Sequence, residues 1–229
     1  MEKIFCIGFP KTGTTSLEEA FELLGYSVCK GYYNNYNTNY LISLFINKDF
    51  TEIDRVITYY DVFTDLPFGG TNFYVYLSNT YPDAKFIHTQ RDPEKWYDSL
   101  VKMFTQFDVN LDTAMNSFHK QGRYGVVYYF NKIFKVNTLS NNKGEFIAHY
   151  NRINNEIKNY FENSTFSYLG MNLIDGDGWE VLCPFLNCTI PNVKFPHKNK
   201  AKSKKRLTTI EKLQRIKILF IKIFKTFAS

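Results

Sequence analysis

The chain has 229 residues, 44% of them hydrophobic and 18% aromatic, enough for one α/β domain with a sizeable core; this composition excludes a disordered or fibrous chain. The net charge of +6 is unevenly placed: from His197 onward nine lysines and two arginines face one glutamate, whereas the first 196 residues carry 17 bases and 21 acids. The body is mildly acidic, the basicity lies in a tail, and no run reaches the roughly 18 uncharged apolar residues of a membrane span.

In chain order, KIFCIG (3–8) is a short apolar run ending at a glycine, which suits a buried strand. TTSLEEAFELLGY (14–26) follows with Leu17, Phe21 and Leu24 at helical spacing and Gly25 as a stop signal. The asparagine-rich GYYNNYNTNY (31–40) reads as a polar loop. TNYLISLFINK (38–48) and TEIDRVITYY (51–60) read as short helices, and YDVFTD (60–65) as a strand that stops before Pro67. TNFYVYLSNTYP (71–82) is expected to be helical despite its β-branched content, because it must cross between two strands. AKFIHTQ (84–90) is the next buried strand, and DPEKWYDSLVKMF (92–104) a helix with Pro93 in its first turn. Residues 105–140 are aromatic-rich and expected to be mostly helical. EFIAHYNRINNEIKNYF (145–161) is an amphipathic helix, FSYLGMNLI (166–174) a last strand and GWEVLCPFLN (178–187) a short helix. Strands alternating with helices imply a parallel sheet with right-handed crossovers.

The N-terminal MEKIFCIGFPKTG holds too short an apolar run for a signal peptide. Cys6, Cys29, Cys183 and Cys188 form no C-x-x-C pair; they read as buried free thiols rather than disulfides or a zinc site, which fits a reducing, cytoplasmic setting. His88, His119 and His149 lack metal-ligand spacing, and His88 lies inside a strand.

GFPKTGTTS (8–16) occupies the turn between the first strand and helix. Consecutive amides over Thr12, Gly13, Thr14, Thr15 and Ser16 at a helix N-terminus make an anion cradle, and Thr14 and Thr15 add hydroxyls. In the triphosphate-binding loop the lysine follows the second glycine. Here Thr14 follows Gly13, and Lys11 stands two places before that glycine. Further on, HTQRDPEKWYDSL (88–100) puts Arg91 at a strand end and Ser99 eight residues later in the next helix. An arginine fork suits a terminal phosphate, and Ser99 points to the same side two turns on.

GFPKTGTTSL resembles the 5′-phosphosulfate loop of sulfotransferases that use 3′-phosphoadenosine 5′-phosphosulfate (PAPS), a family whose loop lysine precedes its glycine by two residues, as Lys11 does. The resemblance implies that Arg91 and Ser99 bind the 3′-phosphate of PAPS. Cytosolic members carry their basic histidine in a T-H-L-P-like segment; here FTDLPF (63–68) has Asp65 in that place, and other branches use a carboxylate as base. Asp61 is near enough in sequence to compete for the role. GWEVLCPFL (178–186) with FPHKN (195–199) resembles the closing segment of one branch, in which Trp179 could line the site and His197 and Asn199, with Lys198 and Lys200, could close over the nucleotide.

The resemblance covers roughly residues 3–199, placing a sulfotransferase-like domain at 1–199 and a basic linker with an amphipathic helix at 200–229. It implies a three-layer P-loop α/β fold with a central parallel sheet of about five strands. It also implies sulfuryl transfer from PAPS to a hydroxyl or amine of an unknown small-molecule or glycan acceptor, giving PAP without a metal. Two alternatives stand beside it: a P-loop small-metabolite kinase using ATP and magnesium, and a non-catalytic nucleotide-binding, membrane-associated module. In the tail, Leu213, Ile216, Phe220, Ile223, Phe224 and Phe227 share a helical face among lysines. Residues 204–227 are expected either to lie on an anionic membrane or to dock on the domain; no nucleic-acid partner is expected.

Overall fold

A computed structural model describes residues 2–29 and 38–197. The chain divides into two units, Met1–Pro196 and His197–Ser229. Asn199, Lys198, Lys200 and the amphipathic run 204–227 lie outside the described residues, as does most of the asparagine-rich loop. No helix among the described residues is long and apolar enough to cross a membrane.

The described elements run β1 (Ile4–Cys6), α1 (Thr14–Leu23), β2 (Val28–Cys29), α2 (Thr38–Ile46), α3 (Phe50–Ile57), β3 (Val62–Phe63) and α4 (Phe73–Thr80). They continue with β4 (Lys85–Thr89), α5 (Pro93–Phe104), α6 (Ala114–Lys120), α7 (Tyr124–Ile133), α8 (Lys143–Glu162), β5 (Ser167–Met171) and α9 (Trp179–Leu186). Among the described residues, every helix and strand expected from the sequence is present; β2, two residues long, carries no periodic signal and was not foreseen. Helix starts follow from local chemistry. The Asp92 side chain accepts from Lys95 N at 2.9 Å ahead of Pro93, and Asp49 caps α3 by accepting from Glu52 N at 3.4 Å.

The strands form one parallel sheet in the order β2-β3-β1-β4-β5. Side chains alternate across it, as a strand requires. Phe5, Phe63 and Phe86 feed a large aromatic cluster covered by α2 to α8, whereas Ile4, Cys6, Val62 and Ile87 feed a smaller one under α1 and α9. All four cysteines are free, three of them buried.

The order reverses at β1, whose neighbours are β3 and β4, so a crevice opens beyond the C-terminal ends of these three strands. There the backbones touch. A Cβ on Gly69 would sit 2.1 Å from the Gly8 carbonyl oxygen, and one on Gly8 would sit 2.3 Å from that of Thr89. Backbone lies on both sides and cannot yield. Gly69→Ala should therefore lower unfolding free energy by about 3 kcal/mol in urea denaturation, through forced overpacking. A loss below about 1 kcal/mol would mean that the loop tolerates displacement, contrary to this packing.

Candidate active site

Three loops meet at that crevice. The first leaves β1 as GFPKTGTT and enters α1 through Gly13, whose φ of 107° is open to glycine without strain. The N–H groups of Thr12, Gly13, Thr14 and Thr15 donate to no other described residue, while Ser16 N and Leu17 N already bond to the Gly13 carbonyl at 2.9 and 3.1 Å. No acid occupies the first turn of α1, so its positive end is uncompensated. Thr12 is fully buried: its hydroxyl donates to Phe9 O at 2.6 Å, leaving the Thr89 hydroxyl to donate to it at 2.7 Å. Thr12 thus shapes the loop with its side chain and offers only its amide. Thr14 and Ser16 are buried and Thr15 exposed.

The second loop follows β3. Asp65 and Lys11 are both non-glycine residues in the left-handed region, at φ 62° and 73°. Strain of this kind collects at functional sites and persists only where the surroundings enforce it. The enforcement is visible: Gly69 N bonds to Asp65 O at 2.8 Å, Gly70 N to Ile7 O at 3.0 Å, and the buried Tyr129 hydroxyl donates to Gly70 O. Asp65 Oδ1 accepts from Leu66 N at 2.9 Å. Burial raises the Asp65 carboxyl above its ordinary range, against the pull of the Leu66 N–H and of the Lys11 charge. Burial likewise lowers the Lys11 ammonium, with Asp65 opposing and Arg91 reinforcing the shift. Asp61, by contrast, precedes β3 at the far end of the sheet, where its carboxylate accepts from Ser27 N at 2.9 Å and Ser27 Oγ at 2.6 Å.

The third loop follows β4. Arg91 Nη1 donates to the Lys11 carbonyl at 3.2 Å, tying this loop to the first, while its Nε–H is buried and meets no acceptor. A buried guanidinium N–H without a partner is costly, and an anion is what would satisfy it. Ser99 stands half-buried on α5, two turns beyond, and its hydroxyl bonds to no other described residue. Trp179 is core rather than lining: it is 3% exposed, its indole N–H donates to Val193 O at 2.8 Å, and its ring meets Phe195 edge-on. Among the described residues, no three His, Cys, Asp or Glu side chains gather as a metal site.

An amide-lined loop at a helix N-terminus, a lysine and an arginine joined through one carbonyl, and a half-buried carboxylate whose pKa is influenced by that lysine together have the chemistry to receive an anion. The sequence model of the sulfotransferase domain matches residues 3–204. The chain belongs to the sulfotransferase family. This sulfotransferase is also similar to the Ava biosynthesis cluster protein M of Aspergillus versicolor, at 24% identity over 221 residues, 85% of this chain and 80% of that protein.

The residues present fit PAPS, the donor this family generally uses. The open amides and Lys11 suit its 5′ end, and the orphaned Arg91 Nε with the uncommitted Ser99 hydroxyl suits a terminal phosphate. What sequence reasoning did not single out in this sulfotransferase is the support behind Arg91. Tyr150 of α8 bonds to both peptide groups of Arg91, and Trp96 of α5 bonds to Pro10. The signal was available: Tyr150 is a polar-tipped residue in the apolar stripe Phe146, Ile153, Ile157 and Phe161.

Proposed function

We propose that the protein transfers the sulfuryl group of PAPS to a hydroxyl or amine of an acceptor, releasing PAP. The observation that carries this reading is the junction of Lys11 and Arg91, two cations tied through the Lys11 carbonyl beside the open amides of the loop and the raised carboxyl of Asp65. In this reading Lys11 Nζ neutralises charge on the oxygen that links sulfate to the departing 5′-phosphate, and the amides of Thr12 to Thr15, with that of Ser16, orient the phosphosulfate. Arg91 and Ser99 hold the 3′-phosphate. Asp65 takes the proton from the acceptor as it attacks sulfur, a task for which a carboxyl raised toward neutrality is better matched than an ordinary aspartate. The remainder of the rate enhancement comes from alignment, as in phosphoryl transfer. The four free thiols accord with a cytoplasmic setting.

Thermal stabilisation tests the reading. PAP at 100 times its dissociation constant should add about 2.7 kcal/mol and raise Tm by about 5–10 °C, without magnesium. A rise with ATP and magnesium but none with PAP would instead make the protein a small-metabolite kinase. Stabilisation by PAP with no turnover of PAPS would leave a nucleotide-binding module.

A further inference from the structure

Behind the two phosphate-binding loops lies a chain of polar and aromatic contacts that the proposed reaction does not itself use. The Tyr150 hydroxyl accepts from Arg91 N and donates to Arg91 O, each at 3.0 Å, so one atom fixes the peptide groups on both sides of the arginine. Its ring stacks on Trp96, with centroids 4.2 Å apart and planes at 23°. The Trp96 indole N–H in turn donates to the carbonyl of Pro10 at 3.0 Å, the residue before Lys11. Phe9 fills the angle between the two rings, 5.0 Å from Tyr150 and 5.5 Å from Trp96.

The bridge is fixed from behind. Asn154 Nδ2 donates to Tyr150 O at 2.8 Å, which leaves its Oδ1 to accept from His88 Nε2 at 2.7 Å. With its proton on Nε2, His88 accepts at Nδ1 from the Tyr168 hydroxyl at 2.9 Å and Gln90 Nε2 at 3.1 Å. Burial lowers His88 to about 4, so the ring stays neutral and this tautomer is kept. Burial also raises the Tyr150 phenol to about 12, so its O–H remains available to donate.

We propose that Tyr150 and Trp96 are positioning residues that hold the two ends of the nucleotide site in register, Tyr150 setting Arg91 for the 3′-phosphate and Trp96 setting the loop for the 5′ end. This rests on the nucleotide reading above. The two rings are stacked, and each is held in place by the other in a tightly packed interior, so removing the Tyr150 hydroxyl while keeping its ring frees Arg91 without moving the loop that Trp96 holds.

Isothermal titration with PAP and with 5′-AMP, which lacks the 3′-phosphate, separates the two ends. Tyr150→Phe keeps the stacked ring and removes the hydroxyl. It should weaken PAP about tenfold while leaving 5′-AMP unchanged. Trp96→Phe should weaken both ligands by the same factor. Equal losses for the two ligands in Tyr150→Phe, or no loss, would overturn the proposal. Amide hydrogen exchange at Arg91 gives a reading independent of any ligand. Its N–H loses its acceptor in Tyr150→Phe and should exchange faster there; unchanged exchange also overturns the proposal. Faster exchange in a protein whose wild type binds no PAP would sink the nucleotide reading alone and leave Tyr150 as the residue that sets Arg91.

Discussion

Lys11→Ala should lower the turnover of PAPS about 10³-fold while leaving the ligand-free protein no less stable. The first half follows from where the ammonium acts in the proposed reaction: on an oxygen whose charge grows as the sulfate–phosphate bond breaks, so its value is realised mainly in the transition state. The second half follows from the structure. The ammonium makes no hydrogen bond to a described residue, and burial and the neighbouring Arg91 both lower its pKa, with only Asp65 opposing. A charge held under those conditions is a cost to the empty fold. Release of PAP from PAPS in the presence of simple phenols and amines measures turnover, and a melting curve without ligand measures stability. Turnover within tenfold of wild type would remove Lys11 from the transition state. A Tm lower by several degrees would show that the side chain supports the fold.

Asp65→Asn should cost about 10²–10³-fold in kcat, with PAP affinity unchanged. Asparagine tolerates the left-handed conformation that Asp65 occupies at φ 62°, and its side-chain oxygen can still accept from Leu66 N, so the loop keeps its shape. What is lost is the ability to take a proton. The pH profile supplies the sign. A base works when deprotonated, and burial raises the Asp65 carboxyl, so wild-type kcat/KM should fall on the acid side at a pH above the ordinary aspartate range. The residual activity of Asp65→Asn should lack that limb. A limb of equal position in the variant would assign it to another group.

The sequence displayed the fold through helical periodicity and through short apolar runs, and among the described residues both held wherever an element was long enough to express them. The stripe of α8 and the buried run of β4 are cases; β2 is not, because Val28 and Cys29 gain a partner only once β3 lies beside them. The order of strands was equally out of reach, since pairing of β1 with both β3 and β4 is a property of the assembled sheet.

Within the site, Lys11, Arg91 and Ser99 were legible as spacings along the chain. The choice between Asp61 and Asp65 was not. It turns on which end of a two-residue strand each occupies, and the sheet direction puts Asp65 beside Lys11 and Asp61 beside Ser27. The touching backbones of Gly8 and Gly69, and the grip of Tyr150 on Arg91, join residues about sixty positions apart in sequence; no local pattern announces either.

The chain's two tryptophans stand in different clusters, served by opposite faces of the sheet. Trp96 leans on the loop that carries Lys11, and Trp179 is bonded to Val193 in the segment after α9. Intrinsic fluorescence of the unlabelled protein is therefore a sum of two separate reporters. Emission from Trp96 follows events at the loop that carries Lys11, and emission from Trp179 follows attachment of the segment after α9. With Trp179 replaced by phenylalanine, the remaining signal belongs to the loop alone, and ligand arrival can be timed without any dye.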